Sequence, residues 1–149
     1  MIEDKKIIVF ALGSAEYGLE VEKVKTIERI QPMTRVPGSL SFIKGVINLR
    51  GVVIPIIDLR SRFNLPEIEY TDNTRIIIVM NGDYEVGLIV DAANDVIDLD
   101  TDNLDNPPEV VGGIQAKYLQ GIAKVGDNRL LTLLNLQEFL KESEIVQSV

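Results

Sequence analysis

Phe42-Ile43-Lys44-Gly45-Val46-Ile47-Asn48-Leu49-Arg50-Gly51-Val52-Val53-Ile54-Pro55-Ile56-Ile57-Asp58-Leu59-Arg60 is the stretch that decides the fold class. Two apolar runs flank a tight polar elbow, Leu49-Arg50-Gly51. The pattern reads as a β-hairpin, with Gly51 free to take the positive φ of a tight turn. An arginine framed in this way is a charge held out by two strands. The stretch also has an echo about 76 residues later, in Tyr118-Leu119-Gln120-Gly121-Ile122-Ala123-Lys124 followed by Leu133-Leu134-Asn135-Leu136. Aromatic, apolar, polar, Gly and apolar recur in one order, and Asp58-Leu59 answers to Asn135-Leu136.

The echo extends upstream. Ile7-Ile8-Val9 matches Ile77-Ile78-Val79, and Gly18-Leu19-Glu20-Val21 matches Gly87-Leu88-Ile89-Val90. Val21, Val24, Ile27 and Ile30 then align with Val90, Ala93, Val96 and Leu99 at a constant offset. Matches in the same order point to an internal duplication with a period of roughly seventy residues, too long for a solenoid unit and suited to two small β-modules. Each module is too small to bury much apolar surface alone, so the two are expected to pack as one domain with a shared core.

The chain has 149 residues, one domain's worth. Hydrophobic residues make up 46% and charged residues 26%, ordinary for a globular fold. Even the apolar run Val52 to Ile57 falls far short of the roughly 20 residues a membrane-spanning helix needs. The start, Met1-Ile2-Glu3-Asp4-Lys5-Lys6, lacks signal-peptide architecture. A net charge of −8 with scattered Lys and Arg disfavours nucleic acid. The absence of cysteine rules out disulfides and suits the cytoplasm, and with histidine also absent the commonest general base and the usual transition-metal ligands are missing. No nucleophile elbow, P-loop or dinucleotide fingerprint is present, and Gly112-Gly113 reads as a flexible turn.

Strands are expected at Lys6 to Leu12, Tyr17 to Glu20, Gly45 to Leu49, Val52 to Ile57, Arg75 to Met80, Tyr84 to Val90, Gly121 to Val125 and Arg129 to Leu134. Asn81-Gly82 and Asp127-Asn128 are turn signals. Val21-Val24-Ile27 has helical spacing and suggests a short helix or turn. Asp58 can cap a short helix through Phe63. Asn135 and Glu138 form a capping box for a terminal helix to about Lys141, burying Leu136, Phe139 and Leu140. Gln31 to Ser39 reads as a loop, Asn64 to Thr74 as the linker between halves, and Ser143 to Val149 as a tail. The expected modules run from about 6 to 66 and 74 to 136, within a single domain over 1–142.

Asp98, Asp100, Asp102 and Glu109 fall at positions one, three, five and twelve of an EF-hand calcium loop. The match is incomplete. Asn103 stands where the loop needs Gly, Asp105 where it packs an apolar residue, and Pro107-Pro108 where the exiting helix would start. The preceding segment reads as strand. A solvated acidic loop that holds no metal is the expectation, with calcium binding as the alternative of a different class.

Gly45-Val46-Ile47-Asn48-Leu49-Arg50-Gly51, Pro55-Ile56-Ile57-Asp58-Leu59-Arg60, Gly87-Leu88-Ile89-Val90-Asp91 and Tyr118-Leu119-Gln120-Gly121 resemble the CheW family of bacterial chemotaxis coupling proteins. The resemblance runs from about Lys6 to Leu140. It implies an all-β fold with short helices: two five-stranded SH3-like barrels packed side by side. It also implies a non-catalytic adaptor without cofactors, a monomer when isolated. Such adaptors bridge the cytoplasmic tips of methyl-accepting chemotaxis receptors to the regulatory domain of a CheA-type histidine kinase. Cytoplasmic and not inserted in the membrane, they are recruited to membrane-attached receptor arrays. The coupling protein of a non-chemotactic sensory array is an alternative of the same class.

Carried over by position, the receptor-facing groove would include Arg50 first, then Asn48, Val24, Ile27 and Val96, and lastly Arg75. For Val24, Ile27 and Val96 the plainer reading is a partly buried core position. The family often has an acidic residue where Thr26 stands, so a receptor ion pair there is in doubt unless Glu28 supplies it. The resemblance assigns no kinase-contact residue.

Overall fold

The computed structural model describes residues 4–38, 43–106, 110–111, 114–126 and 128–143. Phe42, the Gly112-Gly113 pair, Asp127 of the second turn signal, Glu109 of the acidic loop and the tail beyond 143 lie outside them. The chain runs β1 (Lys5–Leu12), β2 (Ala15–Glu20), a 3-10 turn (Val21–Lys23), β3 (Val24–Arg29), β4 (Ile43–Leu49), β5 (Val52–Asp58) and α1 (Leu59–Arg62). The pattern then repeats: β6 (Arg75–Asn81), β7 (Tyr84–Val90), β8 (Ala92–Leu99), a 3-10 turn (Thr101–Asn103), short β9 (Val110–Val111) and β10 (Ile114–Gln115). A 3-10 turn (Ala116–Tyr118), β11 (Leu119–Val125), β12 (Arg129–Leu134) and α2 (Leu136–Ser143) complete it.

Ten of these strands form two five-stranded sheets, ordered β11-β12-β2-β1-β8 and β4-β5-β7-β6-β3. Replacing each strand by its repeat mate turns one order into the other, so the duplication read from the sequence is also a duplication of topology. Registers agree as well, once the expected match of Ile7-Ile8-Val9 with Ile77-Ile78-Val79 is moved by one residue. Ile8 faces Leu19 as Ile77 faces Leu88, and Ile7 lines a barrel interior as Ile76 does, so the true mates are Ile76-Ile77-Ile78. Leu133 faces Gly18 in the parallel pair β12–β2, and its mate Ile56 faces Gly87 in β5–β7. Each sheet bends back on itself where the chain leaving an edge strand pairs with the opposite edge. Thr34, beyond β3, bridges Val46 of β4, and Asp105, beyond β8, bridges Ile122 of β11.

The sheets do not divide the chain at its middle, as the expected modules at about 6–66 and 74–136 do. One barrel is continuous, β3 to β7, residues 24–90. The other is split, built from β1 and β2 before it and β8, β11 and β12 after it. The reason lies in the segment that follows each first hairpin. Of Val21-Val24-Ile27 only the start makes the expected short turn: one 3-10 turn, Val21–Lys23, gives way to β3, whose residues alternate between half-buried and exposed. β3 adds to β6 and β8 adds to β1, each crossing into the other half's sheet.

Side-chain alternation builds three apolar layers. Ile7, Val9, Leu131 and Leu133 fill the split barrel, and Ile54, Ile56, Ile76, Ile78 and Ile89 fill the continuous one. Their strand neighbours Ile8, Phe10, Ile77, Val79, Val86 and Leu88 point the other way into a seam shared by both barrels. Buried on both faces, these strands carry unbroken apolar runs instead of an alternating pattern. Phe63 of the α1 end and Phe139 of α2 close the seam, ring centroids 5.6 Å apart. Gly18 and Gly87 show how tight the interiors are. A Cβ on Gly18 would stand 2.6 Å from the side chains of Ile7 and Leu133, and one on Gly87 would stand 2.5 Å from that of Ile56.

Both expected cap residues accept a helix N–H, but the capping box is only half made, because the Asn135 N–H donates to the Tyr118 carbonyl at 2.8 Å. The Asp58 carboxylate accepts from Arg60 N at 3.0 Å, and the Asn135 side-chain oxygen accepts from Glu138 N at 3.2 Å. The terminal helix extends to Ser143, past the expected Lys141.

Candidate interaction surface

The β4–β5 elbow is a two-residue loop. Leu49 and Val52 are paired, and Arg50 and Gly51 both have positive φ, 52° and 86°. This is the mirror-image turn whose twist matches a hairpin. The sequence reading gave the positive φ to Gly51 alone; here a non-glycine shares it. Asn48 steadies the strained residue, its side-chain oxygen accepting from Gly51 N at 2.9 Å. Arg50 is exposed and forms no ion pair among the described residues.

The other carried-over residues separate into groups. Ile27 on β3 is 41% exposed and Val96 on β8 is 54% exposed, so both are surface residues on equivalent edge strands of the two barrels. Val24 is half-buried and packs against the seam, where its side chain serves the core. Arg75 is half-buried, and its Nη1 donates to the carbonyl oxygens of Asp72 and Thr74, at 2.7 and 2.8 Å. That places its guanidinium on its own preceding turn. Thr26, where the family often carries an acid, has a buried hydroxyl without a hydrogen-bond partner among the described residues.

Two features escaped the sequence reading. Val52, Val53, Pro55, Tyr84 and Val86 line a cavity of about 240 Å³ at the end of the continuous barrel, rimmed by Asp83 and Glu85. Tyr84 is 59% and Val53 60% exposed, so this is an uncovered apolar face. Its only sequence signal was an apolar run that begins before its strand becomes buried. The second feature is an ion pair between Arg60 and Asp91, the last residues of two quoted motifs. Nothing in the sequence joins them.

Beneath the surface lies a charged group around Asp58. Burial pushes its carboxyl up, while the Arg60 N–H and the Lys44 charge pull it back less strongly. Lys44 is itself held up, chiefly by its hydrogen bond to Glu67. Asp58 is a helix cap with an unfavourable charge, not a solvent-facing acid.

The described part of the acidic segment has no EF-hand frame. Asp98 ends a strand and meets Lys6 Nζ at 3.1 Å, while Asp100 caps a single 3-10 turn by accepting from Asp102 N. Among the described residues no three acidic groups converge on a metal position, and no helix is long and apolar enough to cross a membrane.

The family model described as CheW-like domain matches residues 6–144. The chain belongs to the CheW family. The chemotaxis protein CheW of Bacillus subtilis (strain 168) is 50% identical over 140 residues, 93% of this chain and 89% of the relative. That of Klebsiella aerogenes is 36% identical over 141 residues, 95% of this chain and 84% of the relative. The scaffolding protein CheW of Thermoanaerobacter tengcongensis superposes with a TM-score of 0.84 at 37% identity, covering 92% of this chain and 88% of that one. CheW membership sets the chain among chemotaxis coupling and scaffolding proteins, and its two-barrel fold is shared with that solved scaffolding protein.

Proposed function

We propose that this chain is a non-catalytic adaptor linking methyl-accepting chemotaxis receptors to a CheA-type histidine kinase. It works in the cytoplasm, at membrane-attached receptor arrays. Family membership supports the role, and the Arg50-Gly51 turn is the observation that carries the receptor contact. A guanidinium on a two-residue turn, with its neighbour tied by Asn48, is pre-oriented for multidentate hydrogen bonds to carboxylates or carbonyls of a docked helix. Ile27 and Val96, exposed on the two edge strands, supply apolar contact to the same partner. Val24 and Arg75 contribute from behind, through the seam and the turn they hold.

The kinase regulatory domain docks on exposed apolar barrel surface, with the Val52, Val53 and Tyr84 face as the leading candidate. Apolar contact is not screened, so kinase affinity should persist from low to physiological salt. The test is titration of Arg50→Ala against a receptor-tip fragment and against the kinase regulatory domain. Receptor affinity should fall while kinase affinity changes little. Unchanged receptor affinity would take Arg50 out of the contact. A kinase affinity that collapses with salt would mean a mainly electrostatic interface.

A further inference from the structure

The barrels exchange strands at two crossings, and one is a single residue long. β7 of the continuous barrel ends at Val90 and β8 of the split barrel starts at Ala92, leaving Asp91 alone between them. Any change in the angle between the barrels at this point must pass through that residue's backbone torsions.

Asp91 is held from both sides. Its N–H donates to the Ala11 carbonyl at 3.0 Å, and its carboxylate accepts from Gly13 N at 2.7 Å; both partners belong to the first hairpin of the split barrel. From the continuous barrel, Arg60 of α1 donates through Nε and Nη2 to the two carboxylate oxygens, at 2.8 and 2.6 Å. Arg60 is fixed in turn, its Nη1 donating to the Pro66 carbonyl at 2.9 Å. The fork is bidentate, and both side chains are mostly withdrawn from solvent. Burial alone would raise the Asp91 carboxyl, but the bonds from Arg60 and Gly13 outweigh it and hold the group below its ordinary value.

The repeat supplies a control within the molecule. At the other crossing the mates of Gly13 and Arg60 are Gly82 and Gln137, and three residues, Val21–Lys23, link the strands. No fork forms there among the described residues. Lys23, Met80, Gly82, Gln137 and Leu140 instead line a cavity of about 350 Å³.

We infer that Asp91, gripped by Arg60 and by the β1–β2 turn, sets the angle between the two barrels. It thereby keeps Ile27 on one and Val96 on the other positioned for a single partner. Asp91 and Arg60 are positioning residues, set apart from the contact surface. The second half of the inference rests on the receptor reading above.

The chain has no cysteine, so spin labels can be placed cleanly at Val53→Cys and Leu130→Cys, each 60% exposed and at the start of a strand in a different barrel. In Asp91→Asn the inter-label distance distribution should widen and shift. Arg60→Lys, which keeps the charge but not the fork, should fall between wild type and Arg60→Gln. An unchanged distribution in folded Asp91→Asn overturns the inference. If that variant does not fold, an unchanged distribution in Arg60→Gln, which retains the Gly13 bond, overturns it equally. Affinity of unlabelled Asp91→Asn for a receptor-tip fragment should fall about tenfold, a typical coupling effect. A widened distribution with unaltered receptor affinity leaves the barrel brace standing and overturns the two-barrel receptor contact instead.

Discussion

At the end of the continuous barrel, Val52, Val53 and Tyr84 stand open to solvent, and Glu85 turns aside to pair with Lys25 at 2.8 Å. At the matching end of the split barrel, Arg129 replaces Val52 and grips Glu16, the mate of Glu85, through bonds of 2.7 and 2.8 Å. Leu130, the mate of Val53, is the one large apolar side chain exposed there among the described residues. The two copies share strand order, register and the glycines of their interiors, yet differ at their rims. A packed interior tolerates little change in volume, whereas a rim is free to be sealed in one copy and left apolar in the other. The open rim is therefore the place to look for a partner, and the sealed one serves as its control.

The largest effect should come from the seam that both barrels share. Phe139 is fully buried there, while its repeat mate Arg62 lies over the Phe139 ring at 5.2 Å. Phe139→Ala should cost about 3–5 kcal/mol in urea denaturation, and Arg62→Ala no more than about 1–2 kcal/mol. Equal losses would mean that the two helices are not as unequal as their burial implies.

Gly18→Ala and Gly87→Ala should each destabilise by about 1–3 kcal/mol or more, because the added methyl meets branched side chains from two neighbouring strands. Similar costs are expected at both sites. One tolerated and one disruptive substitution would break the equivalence of the interiors.

The rims are compared by binding. Arg50→Ala should weaken a receptor-tip fragment by about 1–3 kcal/mol, with thermal stability changed by about 0.5 kcal/mol or less. Tyr84→Asp should weaken the kinase regulatory domain, while Arg129→Ala at the sealed rim should leave both partners' affinities alone. A kinase defect from Arg129→Ala with none from Tyr84→Asp would reverse the assignment of the two ends.

The smallest effect concerns the helix caps. Burial raises the folded-state pKa of Asp58, so folding favours its protonated form. Its stabilising contribution is fully present below the ordinary carboxylate pKa and is lost as pH rises through the raised value. Asp58→Asn installs the neutral cap that Asn135 already provides at the other helix. Its stability relative to wild type should therefore improve between about pH 4 and pH 7, by up to about 1 kcal/mol. Denaturation at both pH values measures it; a relative loss at the higher pH would show that Lys44 compensates the charge fully.

What was legible in the sequence followed from local chemistry. Runs such as Ile76 to Val79 are buried on both faces and could only be central strands. Gly18 with Gly87, and Asp58 with Asn135, recur because close packing and helix starts each demand a narrow set of side chains. β3 was misread because Val24 and Ile27 sit three apart, a spacing that fits a helix. On a strand an odd separation sends them to opposite faces, one toward the seam and one to solvent. Its strand alternation is muted because an edge position is only half-covered. The exchange of β3 and β8, and the meeting of Arg60 with Asp91, depend on which strand pairs with which across long separations. No local pattern encodes that. Arg50 stood out because it fills a tight turn, whereas Asn48 came only from the family resemblance, and its bond to Gly51 N had no local signal.

The strand exchange also bears on how the chain is made. The continuous barrel is complete once residue 90 has left the ribosome and can close while synthesis proceeds. The first hairpin, although synthesised earliest, has Ile7 and Val9 facing an interior whose far wall is β11 and β12. Those two residues stay unsheltered until Leu134 emerges. The oldest part of the chain is thus the one whose packing partners are made last, so its apolar strands wait longest for cover.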